Sequence, residues 1–171
     1  MAVVNNRIFA RTALLLALTL LFQSLRFFIP IPTVFSTFII GSLVNSCLLI
    51  AAETVGWRSA CLIGVIAPVV AYFQQLLPLP IFIVPVAGGN FLLVICYIAG
   101  LRLSRWLAIV AAAAAKAVFL YLGFVWLFTW VAIPSKIAAG LLFAMSWPQF
   151  ITALVGGILT AIVVRRLRPV N

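Results

Sequence analysis

The sequence contains no aspartate, no histidine and a single glutamate, Glu53. Paired carboxylates, a Ser/His/Asp set and a Cys/His pair are out of reach, because their acid–base and nucleophile combinations cannot be assembled. No Walker motif is present. The chain reads as a non-enzyme without a cofactor. Its three cysteines, Cys47, Cys61 and Cys96, lie singly inside apolar runs, with no CxxC pair. With histidine also missing, a zinc, haem or iron–sulfur site lacks its usual ligands, and no metal is expected. The cysteines read as small buried hydrophobes. Proton-coupled transport is disfavoured too, since carboxylates and histidines are missing from the apolar runs.

What the chain has in quantity is apolar surface. Of 171 residues, 67% are hydrophobic and 7% charged, and the mean hydropathy is +1.37. A soluble domain of this length could not hide so much apolar surface from water, so lipid is the solvent. Eleven basic residues give a net charge of +10. Such a charge suggests nucleic acid, but the basic residues punctuate the apolar stretches and form no patch. That pattern belongs to membrane topology, and no nucleic-acid partner is expected.

Helices crossing a ~30 Å hydrocarbon core need about 20 apolar residues. This predicts an all-α integral membrane protein, one domain over residues 1–171. Its six spans fall at about 8–28, 37–52, 57–77, 86–101, 106–131 and 147–164. The basic, then apolar N-terminus lacks a small-residue cleavage site before Arg26 and reads as a retained first helix. Proline-rich "FIPIPTVFS" and "PLPIFIVP" break the chain, because proline lacks an amide donor. Arg7, Arg11, Arg58, Arg102, Arg105, Arg165, Arg166 and Arg168 fall on one side of the six spans, and Arg26 and Lys136 on the other. That bias predicts both termini inside.

Lys116 belongs to neither side. It follows five alanines in "VAAAAAKAVF" and lies eleven residues past Arg105, roughly 16 Å into the membrane at 1.5 Å per residue. From there it cannot readily snorkel to a surface. No span interior holds an acid to pair with it. A ligand could bring the negative charge; a broken helix could hold the lysine by backbone carbonyls; or it could be carried without its charge. Phe119, Gly123, Trp126 and Trp130 follow at helical spacing. With Lys116 as floor, they suit a small amphipathic ligand, although Trp126 and Trp130 also fit an interfacial belt. The remaining polar candidates are Asn90, Gln74, Gln75, Ser146, Trp147 and Gln149. They could line a ligand pocket or simply join helices by hydrogen bonds of about 1 kcal/mol each. Arg26 adds a second cation on the same side.

Ala13 and Ala17 form a small-xxx-small pair on the first helix, and Ala153 and Gly157 another, each permitting close helix approach. Size, six spans, inside termini, Ala13-x-x-x-Ala17, the proline-rich approach to "GGN" at 88–90 and "WPQFITALVGG" at 147–157 together resemble the substrate-binding S component of an energy-coupling factor (ECF) transporter. The resemblance implies a vitamin or related micronutrient bound near the outer face of a bacterial cytoplasmic membrane. It also implies a membrane scaffold subunit and two cytoplasmic ABC ATPases as partners, with Ala13 and Ala17 facing the scaffold. Lys116, Arg26 and Lys136 without acidic counterparts favour an anionic ligand such as pantothenate or lipoate. The alternative is a small multi-span scaffold or morphogenesis protein that needs no pocket.

Overall fold

The computed structural model describes residues 2–28 and 32–167. Residues 29–31 of the first proline break, and Arg168, lie outside them. The described chain is helical, without a strand. In lipid a helix satisfies its own backbone N–H and C=O groups, which an open strand cannot do. The elements are α1 (Ala2–Ser24), α2 (Thr33–Thr54), α3 (Trp57–Phe73), α4 (Ile83–Gly100), α5 (Arg105–Leu127), α6 (Ser135–Ala144) and α7 (Trp147–Val164). Short 3-10 turns follow α1 and precede α4.

Five segments are long and apolar enough to cross a membrane: Asn6–Phe27, Phe35–Thr54, Pro80–Gly100, Arg105–Leu127 and Ser135–Val164. The expected third span, 57–77, is a shorter apolar helix of 17 residues. It ends at Phe73 because Gln75 takes a positive φ of 58°, a left-handed conformation that a helix cannot continue through. The expected fifth span stops at Leu127 instead of 131, and 135–144, expected only as a connection between spans, coils as α6. α4 begins earlier than expected, at Ile83, because Pro85 falls in its first turn, where the missing N–H costs nothing.

α2 is the central helix: 61% of its membrane segment is buried, against 11% for α1. Close approach around it depends on small residues. A Cβ on Gly156 of α7 would stand 2.8 Å from Cβ of Asn45, so only glycine lets α7 lie this near α2. A Cβ on Gly64 of α3 would come within 3.1 Å of Cβ of Asn90 on α4. Two apolar clusters result. One contains Leu48, Leu49, Ile63, Leu93 and Ile109, and the other Leu77, Phe82, Leu120 and Phe124. Along α5 the change from one to the other falls at Lys116.

The arginine-rich end is closed by the sequence's only acidic side chain. Glu53 at the end of α2 accepts from Arg105 Nη1 at 2.8 Å and Nη2 at 3.0 Å, and from the hydroxyl of buried Tyr97 at 2.5 Å. Three helices are tied at one point. Glu53→Ala leaves the Tyr97 hydroxyl without its acceptor, about 1–3 kcal/mol. The lost ion pair adds at most about 1 kcal/mol, since Arg105 is 35% exposed. We expect a total loss of about 1–4 kcal/mol, read as a lower unfolding midpoint in detergent. Glu53→Gln, which keeps an acceptor for Tyr97, should lose less. Equal midpoints for Glu53→Ala and wild type would show that the clamp contributes nothing.

Candidate functional site

A polar chain crosses the bundle between the two apolar clusters. Lys116, 4% exposed, donates to Oδ1 of Asn45 at 2.6 Å and to Oδ1 of Asn90 at 2.8 Å. Nδ2 of Asn45 donates to Oγ1 of Thr152 at 3.2 Å, and Thr152 in turn donates to the carbonyl of Gln149 at 3.1 Å. On the other side, Nδ2 of Asn90 donates to the carbonyl of Gly64 at 3.0 Å. The chain of bonds joins α7, α2, α5, α4 and α3. Each amide is oriented twice, by a donor-only lysine in front and an acceptor behind.

Pro68 explains why the Gly64 carbonyl is free to accept. It sits inside α3, four residues after Gly64, and has no N–H for the helical bond to that carbonyl. Asn90 supplies the missing donor. A proline in one helix thus turns the oxygen of an asparagine in the next toward the lysine.

Lys116 lines a cavity of about 230 Å³ together with Gln23, Arg26, Asn45, Asn90, Gln149 and Thr152. The cavity lies toward the end of the bundle away from the Glu53 clamp. Arg26 beyond α1 and Leu76 and Leu77 beyond α3 also line it. Nε of Arg26 is buried and has no hydrogen-bond partner among the described residues. Gln23 is held by bonds to the Ala67 carbonyl and to Gln74, which also donates to Ser24.

The structure therefore brings four of the candidates, Lys116, Asn90, Gln149 and Arg26, to one cavity. It separates the others from it. Phe119, Gly123 and Trp126 line an apolar groove with Ile81, Val84 and Pro85 on the outside of the bundle, and Trp126 is 64% exposed. The stripe drawn from Lys116 at three, seven and ten residues drifts about 20–80° to one side at 100° per residue. The buried face runs instead through Ala112, Ala113, Lys116, Leu120 and Phe124. Trp147 stacks on Phe38 and Phe143 and faces outward, and Gln75 lines a separate hollow with Tyr72 and Pro78. Neither lines the Lys116 cavity. Lys116 itself is held by side-chain amides, a partner absent from the sequence expectation, which weighed ligand and backbone carbonyl. Asn45, Gln23, Thr152 and Pro68 were missed. Asn45 in "SLVNSC" carried a usable signal, because an amide deep in an apolar span needs a partner.

An all-helical bundle with five segments long and apolar enough to span, built around a cavity that Lys116 lines, defines a multi-pass membrane protein. The family model for the ECF transporter substrate-specific component matches residues 7–167. The chain belongs to that family. It is a substrate-binding transporter subunit and not an enzyme, and it works in a membrane with an ECF scaffold and ATPase subunits. No curated protein and no solved structure matches the chain.

Proposed function

We propose that the protein captures a small anionic vitamin or related micronutrient in the Lys116 cavity, for uptake driven by ATP hydrolysis in its partners. In this reading the chain crosses a bacterial cytoplasmic membrane six times, with the short α3 as one span and both termini inside. The cavity then opens toward the outer face. The described arginines agree with that orientation. The Thr12–Ser59 contact sets the middle of α1 beside the start of α3, and Glu53, Tyr97 and Arg105 join the ends of α2 and α4 to the start of α5, at the end where Arg58 and Arg105 lie.

One observation carries the anionic assignment. A lysine buried to 4% exposure has two neutral amide oxygens as its partners, while the only acidic side chain, Glu53, is bound to Arg105 and Tyr97 at the other end. Amide oxygens satisfy the hydrogen bonds of an ammonium but not its charge, and uncompensated charge in a low-dielectric interior is costly. An anion completes the site. The buried Nε of Arg26 offers it a second donor.

The test is purification from the native membrane in mild detergent, with bound small molecules identified by mass spectrometry. An anionic vitamin-like compound is expected in the extract. If no anionic compound co-purifies and none binds across a vitamin panel, the reading of the Lys116 cavity as an anion site fails.

A further inference from the structure

Aromatic residues make up 13% of the chain, yet no described residue lining the Lys116 cavity is aromatic. The rings go elsewhere. Phe82, Phe124 and Phe128 pack on one another, and Phe119, Trp126 and Trp147 face the surroundings of the bundle. The cavity walls are aliphatic, with Ile40, Val44, Leu77, Val86 and Leu141 among them. A flat ring gains affinity by stacking on aromatic faces, and these walls offer none. The volume, about 230 Å³, lies below the roughly 300–1,000 Å³ that drug-sized ligands occupy. Two cations border the cavity, Lys116 and Arg26.

We infer that the ligand is a compact aliphatic carboxylate. Its carboxylate docks on Lys116 and its saturated body lies along the aliphatic walls. The inference rests on the reading of this cavity as the anion site of a transport subunit. Asn45 and Asn90 are its positioning residues. Held from behind by Thr152 and the Gly64 carbonyl, their oxygens take two of the three N–H donors of Lys116. One N–H and the whole charge are left for the carboxylate. An amide or alcohol of the same shape supplies no charge and leaves the lysine uncompensated, so the site discriminates by charge more than by size.

The experiment is calorimetric titration of the full chain in detergent with two acid/neutral pairs, pantothenate against pantothenol and lipoate against lipoamide, and with riboflavin and thiamine as ring-bearing probes. At least one acid is expected to bind, its neutral partner at least tenfold more weakly, and the two ring compounds not at all. Asn90→Asp sets a carboxylate beside Lys116 inside the protein. It should lower the affinity of the acid at least tenfold while the protein still elutes as a single species; Asn45→Asp is the second variant should Asn90→Asp misfold. A neutral partner that binds as well as its acid, or an Asn90→Asp protein that keeps full affinity, overturns the inference. Binding of riboflavin or thiamine with neither acid overturns the ligand class and leaves the transport reading standing. No binding by any probe removes the proposed ligand class, and the anion-site reading falls as well if no anionic compound co-purifies from the native membrane.

Discussion

Lys116→Ala is expected to weaken binding of the ligand that co-purifies at least tenfold and to leave the bundle folded. A charge-assisted hydrogen bond contributes about 1.5–3 kcal/mol, and each 1.4 kcal/mol is about a factor of ten in affinity. The loss should therefore lie between about ten- and a hundredfold. The fold should survive for a geometric reason. The two amide oxygens that lose their donor, on Asn45 and Asn90, border the cavity, a polar site with room for water to replace the lysine donor. Their own donors, to Thr152 and Gly64, remain in place. Lys116→Met is the companion variant: it keeps most of the volume and removes the charge. If both variants bind the ligand with wild-type affinity, Lys116 is a structural cross-link between α2, α4 and α5 and the counter-ion role is wrong. If both lose affinity but only Lys116→Ala loses stability, charge and volume act separately.

The lysine was legible in the sequence because depth is a one-dimensional property. Counting from Arg105 along a helix places it far from either surface, and the absence of aspartate and the lone glutamate leave it without an acidic partner at that depth. Asn90, Gln149 and Arg26 were legible for a similar reason, as polar groups scarce enough to stand out on apolar helices. Rotation about the helix axis was harder. A stripe chosen at three, seven and ten residues keeps to one side, so Phe119, Gly123 and Trp126 appeared to continue from Lys116, whereas the buried face follows Leu120 and Phe124. Which helices touch was harder still. That Asn45 and Asn90 meet at Lys116 depends on Gly156 and Gly64 allowing close approach and on Pro68 freeing a carbonyl. Each of these is a property of two helices at once. The short α6 escaped notice because 132–146 reads as a connection between two spans, whereas the helical Ser135–Val164 stretch is apolar throughout.

Ala13→Trp combined with Ala17→Trp is expected to abolish assembly with the ECF scaffold and ATPases while ligand affinity stays at the wild-type value. The separation of the two effects follows from the face of α1 on which these alanines lie. Leu15, Thr19 and Gln23 point into the bundle, and Gln23 reaches the cavity. Ala13 and Ala17 each precede one of the buried residues Leu15 and Thr19 by two positions, about 200° around the helix. They are exposed, with Leu14 and Leu21 alongside. α1 is also the spanning segment least covered by the rest of the chain, so it has a face to lend to another subunit. One helical turn apart, two alanines let a second helix pack backbone to backbone, and without a hydrophobic drive inside lipid such association depends on close van der Waals contact. Two indoles hold the helices apart and remove that contact, yet they meet only lipid within this chain. The measurement is co-purification of the ATPase module with a tagged double variant, beside a titration of the same preparation with the ligand. Recovery of the module in normal yield would refute the docking role of this face. Loss of both assembly and ligand binding would show instead that α1 positions Gln23 and Arg26, and that the two faces of the helix do not act independently.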